Sequence, residues 1–175
     1  IAAPVITTIV LPGGGAPTLG GVNGRIFGSG FGTLGDSASV QIGGAIATIL
    51  NRTATEIVFR TPTYTGGSRT LDARVTVNAA QSNLGSFQYR PPSITNIVTP
   101  SASIVVGSSF TINGADFGTD IGSLSVTVGG QAAVLTLATH GQIRALLPAY
   151  SGGPAAQPVI VSSDGFDSNG VDITY

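Results

Sequence analysis

Residues 29–44 read SGFGTLGDSASVQIGG, and residues 115–130 read ADFGTDIGSLSVTVGG. Internal repetition constrains a fold more than any other sequence feature, because each copy must be one structural unit. With the chain shifted by 86 positions, residues 26–89 align on 112–175 without a gap. Ile26 falls on Ile112, Gly28 on Gly114, Phe31-Gly32-Thr33 on Phe117-Gly118-Thr119, and Gly43-Gly44 on Gly129-Gly130. Further along, Pro62 and Tyr64 fall on Pro148 and Tyr150, Gly66-Gly67 on Gly152-Gly153, Ser82-Asn83 on Ser168-Asn169, and Tyr89 on Tyr175. About a third of the aligned positions are identical. At the front, PVITTIVLP (4–12) matches PSITNIVTP (92–100) at a shift of 88. The first copy therefore carries two extra residues, placed in a flexible stretch, GGGAPTLGG (13–21).

Each copy is rich in short β-branched and aromatic segments broken by Gly, Pro and Asn: VITTIVL, GRIFG, ASVQIG, EIVFR, ARVTV and GSFQY in the first. No segment carries a sustained helical period with caps. Turns every ~8–12 residues between such strands predict a β-sandwich of about seven strands per copy. The expected domains are residues 1–90 and 91–175, with a short proline-containing junction at 90–92. In order, each copy shows Pro-x-Ile-x-x-Ile, Gly-x-x-Phe-Gly, a strand ending in Gly-Gly, Pro-x-Tyr-x-Gly-Gly and a closing aromatic strand. This pattern resembles the IPT/TIG domains, immunoglobulin-like sandwiches found in plexins, transcription factors and many extracellular proteins. The resemblance implies an all-β fold of two tandem immunoglobulin-like sandwiches, used as spacers, adhesion modules or dimerisation surfaces. Within it, Phe31 and Phe117 should enter the core. Gly28, Gly32, Gly114 and Gly118 should adopt backbone angles closed to other residues. Tyr89 and Tyr175 should bury their rings and keep their hydroxyls at the rim.

Composition narrows the function. Hydrophobic residues make up 42% of the chain and charged residues only 9%, with seven Arg, no Lys and a net charge of -1. Such a surface offers no electrostatic footprint for nucleic acid or anionic lipid. It suits a protein covered by neighbours or glycans. Cysteine is absent, so disulfides cannot brace the fold, and without Lys neither can Lys–Asn isopeptide bonds. No apolar run approaches the ~20 residues of a membrane span. A first residue of Ile followed by Ala2 and Ala3 is expected of a processed, secreted chain, extracellular or at the cell surface.

Candidate sites are few. Gly30 to Gly35 matches a dinucleotide fingerprint, but a strand pattern follows where a helix is needed, and the second copy breaks the spacing. His140 is the only histidine, with no Cys or second His to share a metal, and reads as a solvent-facing loop residue. Glu56, Asp36, Asp72 and Asp116 are scattered among turns and strand ends, too thin an inventory for acid–base catalysis. No cofactor is expected. Asp164 and Asp167, in DGFDSNG, are weak metal candidates, although Asp-Gly is also a hairpin-turn dipeptide. Asn51-Arg52-Thr53 is the sole N-glycosylation sequon and lies at a predicted strand end or loop.

These observations lead first to a structural extracellular subunit, with copies of itself as partner, building a filament, stalk or surface layer. The uncharged strands PVITTIVL and PSITNIV lack the usual edge protection, so Ile6, Ile9 and Leu11, with Ile94 and Ile97, are the expected self-assembly residues. The alternative is an adhesion or carbohydrate-binding module of a larger surface protein or polysaccharide-acting enzyme, with glycans as partner.

Overall fold

The computed structural model describes residues 2–100, 105–150 and 155–174. The chain divides into two compact units, residues 1–64 with 68–90 and residues 91–175 with 65–67. The first contains β1 (Val5–Val10), β2 (Asn23–Ser29), β3 (Ala38–Ile42), β4 (Ala45–Arg52), β5 (Glu56–Arg60), β6 (Thr70–Val77), β7 (Ala80–Gln81) and β8 (Gly85–Gln88). The second contains β9 (Ser93–Val98), β10 (Ser109–Ala115), β11 (Leu124–Val128), β12 (Gln131–Ala132), β13 (Val134–Ala138), β14 (Gln142–Leu146), β15 (Ala156–Ser163), β16 (Phe166–Asp167) and β17 (Val171–Thr174). Among the described residues helix is limited to two short 3-10 turns, Pro12–Gly14 and Ile121–Ser123.

Every pairing between named strands is antiparallel, and alternation along each strand separates core from surface. In β6, Ala73, Val75 and Val77 are buried while Asp72, Arg74 and Thr76 face outward. In the second unit the layers are β13-β14-β10-β9 and β12-β11-β15, with β16 and β17 paired to β15. The first unit has the same arrangement, but β4 runs unbroken where β12 and β13 are separate, so hydrogen bonding is continuous from β1 to β7. The strand changes layers at Ala47, matched by the buried Ala133. That crossing explains why β4 is inconspicuous in the sequence. Only Ala47 in it is buried, a bulge interrupts it between Ile49 and Asn51, and Ile46 is 73% exposed.

Phe31 and Phe117 are fully buried, as their position after Gly-x-x predicts. The glycines before them act by close approach rather than by backbone angle. A Cβ on Gly28 would lie 1.9 Å from the Val5 carbonyl oxygen and 2.7 Å from the Phe31 ring. On Gly114 it would lie 2.0 Å from the Ser93 oxygen and 2.5 Å from the Phe117 ring. Only Gly32 and Gly118 have the expected positive φ, 77° and 88°. Gly43-Gly44 and Gly129-Gly130 form two-residue hairpin turns with both φ values positive.

The GGGAPTLGG stretch is tied down, against the expectation of flexibility. Ala16 and Thr18 are fully buried, and Ala16 bridges to Tyr89 in parallel. Its N–H donates to the Gln88 oxygen at 2.9 Å, and the Arg90 N–H donates to its carbonyl at 2.8 Å. These two bonds satisfy the backbone groups of the buried Ala16. Tyr89 buries its ring against Tyr64 and Phe87, and its hydroxyl donates to the Pro62 oxygen at 2.9 Å. Burial pushes its pKa up to about 12. Tyr175 and Gly152-Gly153 lie outside the described residues.

Candidate functional site

The predicted assembly residues turn inward. Ile6 and Ile94 are buried in their own cores, and Ile9, Leu11 and Ile97 pack against the same clusters. Nor are the strands bearing them bare. The Asn83 amide oxygen accepts from the Ile6 N–H at 2.7 Å, and its nitrogen donates to the Ile6 carbonyl at 2.9 Å. Asn169 makes the same two bonds to Ile94, at 2.8 and 2.9 Å. One asparagine side chain thus occupies the hydrogen-bonding positions that a neighbouring strand would use. The preceding serine holds the loop. Ser82 Oγ accepts from the Val75 N–H at 3.0 Å, and Ser168 Oγ accepts from the Val161 N–H at 3.0 Å. The signal was present in the doubled Ser-Asn, but pairing with residues 77 and 75 positions away is invisible in sequence.

Asp36 and Glu56 have structural partners. Asp36 accepts from the Thr33 N–H at 2.7 Å and from the Asn78 amide at 2.6 Å, which holds its carboxyl below the usual 3.8. Arg52 donates to the Asp36 carbonyl at 2.8 Å and to the Thr33 carbonyl. Glu56 pairs with Arg25 at 3.0 Å. Asp116 is buried, with φ of 60° where the first unit has Gly30 at 71°. His140 is half-buried rather than solvent-facing. Its carbonyl accepts from the Phe117 N–H at 3.1 Å, as the Ala54 carbonyl does from Phe31. Burial lowers its pKa, and Asp116 acts in the opposite direction. Asp164, with φ of 49°, and Gly165, at 83°, form the two-residue turn joining β15 to β16, and Asp167 accepts from Ser162 Oγ. Burial raises the pKa of Asp164. Among the described residues no three His, Cys, Asp or Glu side chains converge on a point that would hold a metal. Asn51 is exposed near the end of β4, and its amide oxygen accepts from the Arg52 N–H at 2.8 Å.

One surface feature brings polar side chains together. On the outer face of the first unit, Gln41 lies opposite Arg74 across the β3–β6 pair, and Asp72 follows two residues before Arg74 on the same face. Thr70, Leu71 and the half-exposed Leu84 complete an open groove of about 420 Å³. Arg74 Nη1 donates to the Gln81 amide oxygen, which steadies the guanidinium over the strand. Of these residues only Asp72 figures among the sequence candidates, and there as an isolated acid. The second unit lacks the set: Thr127, Pro158 and Ile160 stand where Gln41, Asp72 and Arg74 do.

Both units share the Gly-x-x-Phe-Gly with its glycine against the preceding strand, the Gly-Gly hairpin and the two-layer topology, and the IPT/TIG domain family model matches residues 4–89 and again 92–175. The chain belongs to the IPT/TIG family. No curated protein matches it significantly. Among solved structures, the surface glycan-binding protein PbSGBP-B from Prevotella bryantii matches at TM-score 0.61 and 12% identity, over 100% of this chain and 42% of that one. SGBP-B from a xyloglucan utilization locus of Bacteroides uniformis matches at TM-score 0.39 and 20% identity, over 99% and 49%. The plexin A4 extracellular region matches at TM-score 0.47 and 17% identity, over 98% and 18%. The IPT/TIG pair described here therefore spans less than half of each of these proteins. At such identities the likeness concerns the fold. Within the two IPT/TIG domains, shared residues such as Gly28, Phe31 and Asn83 serve the scaffold, while the core itself differs in detail, with Phe59 and Phe87 standing where the second unit has Ala145 and Ile173.

Proposed function

We propose that this IPT/TIG pair is a non-catalytic adhesion or carbohydrate-binding module of a larger cell-surface or secreted protein. The observation that carries the reading is how the two copies divide their residues. Gly28, Phe31 and Asn83, with their counterparts, are consumed by core and edge, while the outer faces carry polar uncharged residues interspersed with exposed aliphatics such as Leu34 and Ile46 and little charge. Such faces offer hydrogen-bond donors and acceptors without a net field, which matches a neutral hydroxyl-rich partner better than an anionic one. That surface glycan-binding proteins share the fold supports the reading. Among the described residues the outermost aromatic rings, those of Phe27, Tyr150 and Phe166, are only partly exposed, so binding leans on hydrogen bonds and aliphatic contact. Retention of the purified chain on a panel of insoluble polysaccharides at 150 mM salt tests this, at about physiological ionic strength. Failure to be retained on any of them refutes the carbohydrate reading.

Self-association is the second reading. It is favoured by β13, an edge strand paired only to β14, with Val134 64% exposed and no charge along it. In that reading contacts run through β13 rather than through Ile6, Ile9, Leu11, Ile94 and Ile97. Sedimentation velocity showing a monomer at high concentration removes it.

A further inference from the structure

The groove on the outer face of the first unit deepens the carbohydrate reading, on which it rests. We propose that Gln41, Asp72 and Arg74 form the contact site for a neutral glycan chain. Three observations point to that ligand class. The lining carries one carboxylate and one guanidinium, so it has no net charge to attract a phosphate or a polycation. Asp72 supplies acceptors, Arg74 supplies donors, and Gln41 and Thr70 supply both, which matches adjacent hydroxyls that each donate and accept. Leu84, 50% exposed, offers the apolar contact that the carbon-bearing face of a sugar ring requires, with the edge of the core-packed Leu71 beside it.

The side chains are also well placed mechanically. Gln41 and Arg74 project from paired strands of the layer whose inner face is the core, so their backbones are rigid. Arg74 is steadied by Gln81, and the Gly43-Gly44 turn closes one end of the groove. Replacement of the whole set by Thr127, Pro158 and Ile160 in the second unit assigns the site to the first unit alone.

The test is a nitrogen–proton NMR titration of the full chain with cellohexaose, xylohexaose, mannohexaose and maltohexaose, read at backbone amides and at the Gln and Arg side chains. Saturable shifts clustered at Gln41, Asp72, Arg74 and Leu84 with at least one sugar are expected. The near-isosteric Asp72→Asn and the shorter, uncharged Arg74→Gln variants, checked for unchanged spectra elsewhere, should each lower affinity about tenfold. Shifts clustered on the second unit, or unchanged affinity in both variants, overturn the site while leaving carbohydrate binding intact. No shift with any of the four sugars, in a chain retained on an insoluble polysaccharide, also overturns the site. No shift together with no retention overturns both the site and the carbohydrate reading.

Discussion

Replacing Asn83 with alanine removes both bonds that its side chain makes to the Ile6 backbone, at 2.7 and 2.9 Å. Each hydrogen bond contributes about 0.5–1.5 kcal/mol net, and water at this partly exposed edge recovers part of it. The expected loss is about 1.5 kcal/mol, or roughly 6–12 °C in Tm for a unit of this size. Asn83→Asp is the sharper variant. It keeps an acceptor for the Ile6 N–H but turns a carboxylate oxygen toward the Ile6 carbonyl, so at neutral pH it should be less stable than Asn83→Ala. The carboxylate's folded-state pKa is then raised above its unfolded value. The protonated acid donates to the carbonyl, so stability is present below the unfolded pKa and is lost as pH rises through the folded pKa. Thermal and urea unfolding across pH 3 to pH 8 follow this, about the span in which carboxylates titrate. The same substitutions at Asn169 should repeat the pattern in the second unit. Sedimentation velocity adds a second readout, because an uncapped β1 edge should promote association. A loss under about 0.5 kcal/mol in both alanine variants, with Asp indistinguishable from Ala, refutes the capping role.

Three further predictions concern the scaffold. Gly28→Ala and Gly114→Ala should each destabilise their own unit by about 3 kcal/mol or more in urea unfolding, since the added carbon meets a backbone oxygen at 1.9 or 2.0 Å that cannot swing away. Ala79→Gly should stabilise the first unit by about 0.5–1 kcal/mol, because Ala79 has φ of 68° at a turn position where the second unit has Gly165. Tyr89 has a folded-state pKa of about 12 against 10.0 when exposed, so its contribution is complete below pH 10 and lost as pH rises toward 12. Alkaline unfolding should steepen in that window, and Tyr89→Phe should flatten it while losing the bond to the Pro62 oxygen.

By itself the sequence determined the duplication, the all-β class, the family and most strands, because these depend on local matters. Alternation of apolar residues, a Gly-Gly between them and a Gly three residues before a Phe all act within a few positions of each other. Non-local pairing decided the rest. Strand β4 hid because its residues serve two layers in turn, so its alternation breaks where it crosses at Ala47. The GGGAPTLGG stretch has the composition of a flexible loop, yet Ala16 is held by Gln88 and Arg90, more than seventy residues away. Ile6 and Ile94 resemble edge residues open to a partner until Asn83 and Asn169 are seen to cover their backbone groups. The candidate groove was the least legible feature. Gln41 and Arg74 meet only because β3 pairs with β6, and a lone Gln, Asp and Arg carry no spacing that marks them as neighbours. Periodicity reports which face of a strand a residue occupies; only the tertiary register decides what stands beside it.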